Sequence, residues 1–303
     1  TAEQAQLKRV RAAGAGDASA VVVSAAAVGR LPAAHCSGAS CLVAWANGVA
    51  PGDVYAAVYD PALGTAGTPF VINNKGNDQT RPAISSDGTN FVVLWADRRS
   101  GTYDIYGSRV STAGAVLDGA NGIAIATGAG NQSQVDVAWD GTNFLASWQD
   151  DASAANVFDL KGARLTSALA SAGALNIASQ ANSQRFPKLA VGGSGWAVAF
   201  QDNRTFATNP GNIYVTRVSS AGAVLDANGI VVSTSGNRQT LTAAAGNGSA
   251  YLVAWSDNRG VDGSYDLWGA LGSSTGTLLA NKVISAATGD QITPDVIYDS
   301  AQA

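Results

Sequence analysis

The chain has 303 residues and a net charge of −4, and 46% of its residues are hydrophobic while 13% are charged. This composition is too apolar for a disordered chain, and it shows no basic stripe of the kind that binds nucleic acid. The apolar runs are too short to span a bilayer. With 35 Gly and 8 Pro, the chain is typical of many short strands joined by tight turns. We expect an all-β protein with neither a nucleic-acid partner nor membrane insertion.

The first predicted hairpin contains both cysteines of the chain. Cys36 and Cys41 enclose a Ser-Gly-Ala-Ser turn, where facing residues come close enough for a disulfide. We predict an oxidised pair and therefore a secreted, extracytoplasmic protein. A redox-active or metal-binding pair is the alternative, but the usual two-residue spacing is absent. The chain starts at Thr1 and contains no Met, which indicates a mature product or a fragment of a longer parent.

A repeat of about fifty residues then runs along the chain. Its clearest copies, residues 81–97 and 134–150, align without a gap. The same alignment places an aromatic residue at intervals of 50 to 55 residues: Trp45, Trp95, Trp148, Phe200 and Trp255. Such a period is the signature of a repeat architecture.

Each repeat contains four strand-like segments. The first ends in a dipeptide that tolerates positive φ, and the second is apolar on both faces. The predicted hairpin dipeptides are Asp87-Gly88, Asp140-Gly141, Gly192-Gly193 and Asn247-Gly248. Four antiparallel strands in about fifty residues predict a blade of a β-propeller.

The two ends of the chain predict that the ring is closed by a shared blade. Residues 7–14 match the third strand of the repeat, and residues 293–300 match the first. Pairing them in one blade would remove exposed sheet edges. We therefore predict one six-bladed domain over 1–303, with blades at 31–80, 81–133, 134–185, 186–239, 240–292, and 293–303 plus 1–30. The sixth marker aromatic would fall beyond Ala303, so either the chain is trimmed or an irregular segment completes that blade.

A more specific signature follows the marker aromatic. It has the form Trp/Phe-x-Asp-x-Arg, with copies at 95–99, 200–204 and 255–259. After the first copy come a third strand of the type Asp-Ile-Tyr-Gly-Ser-Arg, within 103–110, and the segment Gly-Ala-Val-Leu-Asp at 114–118. In these motifs the chain resembles the tandem β-propeller repeats of large secreted bacterial proteins of the myxobacterial type. The resemblance implies a propeller and export, and it brings no established activity. The first and third repeats depart from it, because the Arg is absent there.

A recurring Gln lies three residues before the Pro position that opens each repeat, often with an Asn two residues earlier. The ring geometry would gather these residues, with nearby Arg side chains, at one mouth of the channel, where amides could bind sugar hydroxyls or peptide groups. The alternative is that each Gln satisfies backbone groups between neighbouring blades. The candidate ligand-binding residues are Gln79, Gln132, Gln184, Gln239, Gln291, Asn77, Asn182, Asn237, Arg81 and Arg185.

No cofactor is expected, although the repeat offers one weak calcium hypothesis. Asp97 with Asp104, or Asp257 with Asp266, could begin a site, but a hard cation needs more oxygen ligands. We prefer the alternative in which the Asp caps a turn and pairs with the Arg two residues later.

Catalytic side chains are scarce. His35 is the only histidine, and it is expected to be a strand residue beside the disulfide. Asp136 and Asp295 occupy equivalent first-strand positions and could act as a carboxylate pair on a glycosidic bond, but Lys188 occupies the same position in the fourth blade.

The sequence favours a non-catalytic binding or structural module that presents loop faces to a glycan or protein partner, with its 7 tryptophans available for stacking. The alternatives are a polysaccharide-active enzyme, a glycosidase or lyase with a site at the channel mouth, and a spacer. We expect a monomer or a part of a larger parent protein.

Overall fold

The computed structural model describes residues 6–7, 21–22, 29–48, 52–154, 157–193, 195–205, 211–260 and 263–298. These residues form strands, turns and bends. None of the described segments is a helix long and apolar enough to cross a membrane.

The strands of the described residues alternate with short connections along the whole chain. In chain order they are β1 (Gln6–Leu7), β2 (Val21–Val22), β3 (Gly29–Ser37), β4 (Ser40–Asn47), β5 (Val54–Asp60), β6 (Thr65–Ala66), β7 (Phe70–Asn73), β8 (Gln79–Ser86), β9 (Asn90–Asp97), β10 (Asp104–Ser111), β11 (Ile123–Ala126), β12 (Gln132–Trp139), β13 (Phe144–Ala154), β14 (Val157–Leu165), β15 (Ser171–Ala178), β16 (Gln184–Val191), β17 (Gly195–Asp202), β18 (Asn212–Ser219), β19 (Ile230–Ser233), β20 (Gln239–Gly246), β21 (Ala250–Asp257), β22 (Asp266–Ser273) and β23 (Lys282–Ser285).

The strands form antiparallel sheets in which each strand pairs with the next one in sequence. Sheet 1 comprises β3 to β7, and its fourth strand is split, because β6 and β7 both pair with β5. Sheets 2 to 5 are the four-stranded sets β8–β11, β12–β15, β16–β19 and β20–β23. Each sheet corresponds to one of the five complete predicted repeats but begins one or two residues before the predicted boundary. The prediction of an all-β fold with four-stranded antiparallel sheets is confirmed.

The residues group into two compact units. One contains residues 1–135, 167–170 and 302, and the other contains residues 136–166, 171–301 and 303. Sheets 1 and 2 belong to the first unit, and sheets 4 and 5 with most of sheet 3 belong to the second. The boundary passes through β12.

The second strand of each sheet is buried, and apolar side chains join it to a neighbouring sheet. In the first unit, Leu42 and Val54 of sheet 1 pack with Trp95 of sheet 2. In the second unit, Leu145 of sheet 3 packs with Trp196 and Phe200 of sheet 4. A similar cluster joins sheets 4 and 5 around Trp255. The continuous apolar runs of these strands are the pattern that two-sided burial requires.

Short-range features of the sequence appear as predicted. Cys36 and Cys41 are facing residues of the β3–β4 hairpin and form a disulfide. The hairpin glycines have positive φ, for example +87° at Gly88 and +86° at Gly248. Asp87 stabilises its turn because Oδ1 accepts hydrogen bonds from the backbone N–H groups of Thr89 and Asn90, both at 2.8 Å.

The predicted shared blade is not formed by the described residues. Residues 291–298 form no strand, and Ile297 is 75% exposed. The physical reason is that a first strand needs a second strand of its own blade as a hydrogen-bonding partner, and the described residues supply none. At the other end, β1 and β2 pair antiparallel, as third and fourth strands do. Arg9 and the remainder of that segment lie outside the described residues.

Candidate functional site

The first strands of sheets 1, 2, 4 and 5 are interrupted two residues after they begin. The register shifts there, for example between Arg185 and Lys188 in sheet 4. A bulge of this kind inserts extra residues and redirects a side chain. Non-glycine residues adopt positive φ, between +50° and +55°, at the corresponding repeat positions: Leu31, Arg81, Gln134, Phe186 and Thr293. Such backbone strain costs about 1–3 kcal/mol per residue and is common at functional sites.

The second unit contains a cleft of about 760 Å³ beside one of these bulges. The residues around it come from the first strands of sheets 4 and 5, from the second strand of sheet 4, and from connections before, between and after the strands of these sheets. The cleft is lined by Asn182, Ser183, Arg185, Phe186, Gln201, Asn203, Arg238, Thr240, Tyr265 and Ile292. Two guanidinium groups, three amides and two aromatic rings therefore face one space, and none of these lining residues is acidic.

Phe186 is held in its strained conformation by both neighbouring sheets. Its backbone N–H donates to Gln149 Oε1 at 2.8 Å, and its carbonyl accepts a hydrogen bond from Thr242 Oγ1 at 2.7 Å. The preceding residue, Arg185, has its guanidinium 4.7 Å from the centre of the Phe158 ring. Burial lowers the pKa of Arg185, because a partly desolvated cation is less stable.

The amides of the cleft are fixed by hydrogen bonds to their neighbours. Gln201 Nε2 donates to Asn203 Oδ1 at 3.0 Å, and Gln201 Oε1 accepts from Thr240 Oγ1 at 2.8 Å. On another side, the Tyr265 carbonyl accepts from the backbone N–H of Gln291 at 2.6 Å. That contact positions the segment that contributes Ile292.

Lys188, further along strand β16, lies beside Asp136 of strand β12. Asp136 Oδ2 accepts a hydrogen bond from the backbone N–H of Leu189 at 2.8 Å, and Asp136 Oδ1 lies 3.8 Å from Lys188 Nζ. Desolvation raises the pKa of Asp136, the charge of Lys188 lowers it, and the nearby carboxylate of Asp295 raises it further. The net shift is upward, so Asp136 is a candidate proton donor. The sequence predicted that Asp136 and Asp295 could approach, and the charge of Asp295 is the smallest of the influences on the pKa of Asp136.

The first unit holds a related pair of bulge residues. Arg81 Nη1 donates to Gln134 Oε1 at 3.2 Å. Burial lowers the pKa of Arg81, while interaction with Tyr103 opposes this shift. Of the two arginines predicted as ligand-binding residues, Arg185 lines the cleft and Arg81 belongs to this separate pair.

The recurring Gln side chains point into the connections that precede their strands. Four of them are almost fully buried: Gln79, Gln132, Gln184 and Gln239. Gln79 Nε2 donates to the carbonyls of Lys75 and Asn77, at 2.7 and 3.0 Å, and Gln291 Nε2 donates to that of Ala287 at 2.8 Å. Gln132 and Gln184 make the same kind of contact. This is the structural alternative that the sequence left open, in which Gln stabilises the connection.

The Asn residues that precede these Gln residues shape the same connections. Asn77 and Asn182 have positive φ, +63° and +61°, which Asn tolerates better than most residues. Asn237 is exposed. Of the three, Asn182 lines the cleft.

The aspartates of the calcium hypothesis have partners within the protein. Asp97 accepts hydrogen bonds from Trp95 Nε1 at 2.9 Å and from the backbone N–H and Nε of Arg99 at 3.0 and 2.9 Å. Asp257 pairs with Arg259 in the same way. The turn cap and ion pair that we preferred are therefore present. Within the described ranges, no group of three or more His, Cys, Asp or Glu side chains could hold a metal ion.

Five of the seven tryptophans are not available as stacking surfaces, contrary to the expectation from the sequence. Trp45, Trp95, Trp148, Trp196 and Trp255 are buried, because each lies on the strand that neighbouring sheets cover. The aromatic residues at the cleft are instead Phe186 and Tyr265. His35 lies on β3 next to the disulfide, as predicted.

Sequence reasoning missed most of the cleft. Phe186, Gln201, Asn203, Arg238, Thr240, Tyr265 and Ile292 were not among the predicted ligand-binding residues. The position before the recurring Pro, occupied by Phe186, could have been recognised. Its residue varies between repeats, whereas the bulge at this position is retained. Gln201 and Asn203 carry no comparable signal, since they belong to the structural Trp/Phe-x-Asp-x-Arg segment.

No family model and no curated protein matches this chain. Among solved structures it is similar to a thermostable family-43 glycoside hydrolase, with 13% identity, a TM-score of 0.49, and 86% of this chain and 94% of the other covered. It is also similar to a GH43 endo-arabinanase from Bacillus licheniformis, with 14% identity, a TM-score of 0.46 and coverage of 82% and 95%. An alpha-L-arabinofuranosidase from Lactobacillus brevis gives 11%, 0.48, and coverage of 89% and 95%.

These similarities correct the functional reading of the sequence. A non-catalytic binding or structural module was expected, whereas the similar solved structures are glycoside hydrolases. The similarity concerns the fold and transfers neither a substrate nor the role of any residue. The alternative weighed from the sequence, a polysaccharide-active enzyme, is argued below from this chain's own residues.

Proposed function

We propose that the chain is a polysaccharide-active enzyme, a glycosidase or a polysaccharide lyase, that binds its substrate in the cleft of the second unit. The observation that carries this proposal is that two segments contribute both to the cleft and to the carboxyl cluster. Strand β16 places Arg185 and Phe186 at the cleft and Lys188 beside Asp136. The segment 291–298 contributes Ile292 to the cleft and Asp295 to the cluster.

The cleft suits a sugar chain in size and in chemistry. A volume of about 760 Å³ lies within the range of ligand sites, roughly 300–1,000 Å³. The amides of Asn182, Gln201 and Asn203 can donate and accept hydrogen bonds from hydroxyl groups. Phe186 and Tyr265 offer apolar ring surface beside them.

The carboxyl cluster supplies proton transfer. Cleavage of a glycosidic bond requires a proton on the departing oxygen and, in hydrolysis, activation of a water molecule. Asp136, whose pKa is raised by burial, is assigned the proton donation. Asp295, which is exposed, is assigned the activation of water or of a sugar C–H proton. Lys188 limits the rise in the pKa of Asp136.

A panel of plant, algal and bacterial polysaccharides tests this proposal with reducing-end release and unsaturated-product absorbance as readouts. We expect cleavage of at least one polymer, and loss of at least about a hundredfold in rate for Asp136→Asn and Asp295→Asn, given the usual contribution of acid–base groups. Asp87→Asn, in a hairpin turn, is the control and should retain the rate. Absence of cleavage across the panel, or full activity of both variants, would refute the assignment.

The larger architecture is also proposed from the repeats. We infer a six-bladed β-propeller in one domain, with residues 293–303 and 1–30 sharing the last blade, and an exported protein. The five described sheets of blade type and their regular spacing support the propeller. The disulfide supports an oxidising compartment.

A further inference from the structure

One arginine of the cleft, Arg238, departs from the pattern of the repeat. Most other arginines in the repeat are bound by aspartates of the same sheet. Those pairs are Arg99–Asp97, Arg204–Asp202, Arg259–Asp257, Arg109–Asp118 and Arg217–Asp226. Arg238 is exposed and forms no ion pair among the described residues. Its charge is therefore available to a ligand.

Arg238 occupies a position where the other repeats have a hydrogen-bond acceptor. The residue before the recurring Gln accepts from a backbone N–H of the preceding sheet in four repeats. These contacts are Asp78 Oδ1 with Gly52, Asn131 Oδ1 with Tyr103, Ser183 Oγ with Phe158, and Asp290 Oδ1 with Tyr265, at 3.0 to 3.2 Å. A guanidinium has no acceptor, so Arg238 cannot make this contact. A local rule that is broken in one repeat, beside a cleft, indicates a functional requirement.

Arg185 shares its repeat position with Arg30 of sheet 1, but the other sheets show that the fold does not require an arginine there. The residue after the recurring Gln is Thr80, Ser133 and Thr240 in the second, third and fifth repeats. A small hydroxyl residue is therefore sufficient for the bulge. Arg185 instead lies over the Phe158 ring, and stacking of this kind orients the planar guanidinium for paired hydrogen bonds to an anion.

We infer that the substrate bound in the cleft is an anionic polysaccharide, whose carboxylate or sulfate groups are bound by Arg185 and Arg238. The cleft combines these two cations with amides for the hydroxyl groups and with Phe186 and Tyr265 for the apolar ring faces. None of its lining residues is acidic, although the chain as a whole carries a charge of −4. This inference rests on the proposed function, because it specifies the substrate of the same cleft.

Direct binding to the full chain tests the inference, measured by calorimetry with three oligosaccharides of equal length. These are a uronic acid oligomer, the same oligomer with its carboxyl groups reduced to alcohols, and a neutral oligomer carrying sulfate esters. The variants restore the residues of other repeats, as Arg185→Thr and Arg238→Ser, so that the fold is preserved. Arg30→Thr is the matched control, because Arg30 has the same repeat position in sheet 1 and does not line the cleft.

We expect the uronic acid oligomer or the sulfated oligomer to bind, with an affinity that falls as salt rises. Each cleft variant should weaken binding by about tenfold or more, as expected for a charged hydrogen bond, while Arg30→Thr should bind like the wild type. The preferred oligomer identifies the anionic group. Three results would overturn the inference. The carboxyl-reduced oligomer could bind as tightly as the preferred anionic oligomer, the cleft variants could bind like the wild type, or no anionic oligomer could bind.

Cleavage assays on the same samples separate this inference from the proposed function. Arginine-dependent binding without cleavage would support the anionic ligand and refute the enzyme. Cleavage of neutral polymers alone, with full rates in both cleft variants, would support the enzyme and overturn the anionic substrate.

Discussion

The aspartate of the Trp/Phe-x-Asp-x-Arg segment links three parts of its sheet. Asp97 is fully buried and accepts hydrogen bonds from the Trp95 indole and from Arg99. Arg99 lies 3.8 Å from the centre of the Tyr106 ring. The pattern was visible in the sequence because the interacting residues lie within two positions of one another. Local spacing is therefore sufficient to predict this contact.

Asp136 is the residue for which pH should matter most. Burial raises its pKa above the ordinary value of 3.8, so the folded state binds its proton more tightly than the unfolded state. The free energy of unfolding is then greatest below the ordinary pKa and falls as the pH rises through the raised one. Asp136→Asn keeps an acceptor for the Leu189 N–H and removes the ionisation.

We therefore expect wild-type protein to lose stability relative to Asp136→Asn as the pH rises through this window. Urea unfolding at a series of pH values measures the difference. Asp87→Asn is the control, because it also removes one carboxylate but from a hairpin turn. A pH effect found only with Asp136→Asn therefore comes from the burial of Asp136. Parallel stability curves for wild type and Asp136→Asn would contradict a raised pKa at this site.

At the scale of the element, the first strand carries a bulge at which the side chains differ between repeats. Its bulge directs residues of neighbouring repeats toward different partners: Arg81 meets Gln134, and Phe186 lines the cleft. The strain is retained because hydrogen bonds from both sides fix the backbone at Phe186. A different residue at the bulge position of each repeat therefore changes which side chain is presented there, while the backbone of the strand stays the same.

The bulge predicts an unusual order of stability among substitutions. Phe186 has a φ of +55°, which glycine adopts without strain and alanine does not. Phe186→Gly should therefore be more stable than Phe186→Ala by about 1 kcal/mol, as measured by chemical denaturation.

Val231 of strand β19 is the control for this comparison, because it is exposed and lies outside the set of residues with positive φ. There the order should reverse, since glycine in an ordinary strand is less stable than alanine. Finding alanine more stable at both positions would mean that residue 186 is not in the left-handed conformation.

At the scale of the whole molecule, the marker aromatics account for how the sheets associate within each unit. Trp95 lies in the core between sheets 1 and 2, and Phe200 lies in the core between sheets 3 and 4. An apolar strand that is buried on both faces needs a neighbouring sheet on each side. This requirement is the basis for proposing a closed ring.

The shared blade makes a distance prediction. If residues 7–14 supply its third strand and residues 293–300 its first, Arg9 and Val296 are separated by two strand spacings, about 10 Å. Spin labels on cysteines introduced at these positions should report this separation. The equivalent pair in sheet 2, Ile84 and Arg109, calibrates the measurement. A separation several times that of the calibration pair would exclude closure by a shared blade.

Structural features that depend on residues close together in the chain could be predicted from the sequence alone. The period of the marker aromatics predicted five sheets, the turn dipeptides predicted the hairpins, and the separation of Cys36 from Cys41 predicted the disulfide. These succeed because hydrogen bonding between consecutive antiparallel strands is a short-range property of the chain.

Only the tertiary structure decided which polar residues face a ligand-sized space. The recurring Gln residues drew attention because they repeat, yet repetition reflects a need of the fold, and four of the five are buried. The cleft instead uses residues that differ between repeats, such as Phe186 and Arg238. They come from strands and connections far apart in sequence, so their proximity depends on how the sheets pack, and periodicity along one chain does not contain that information.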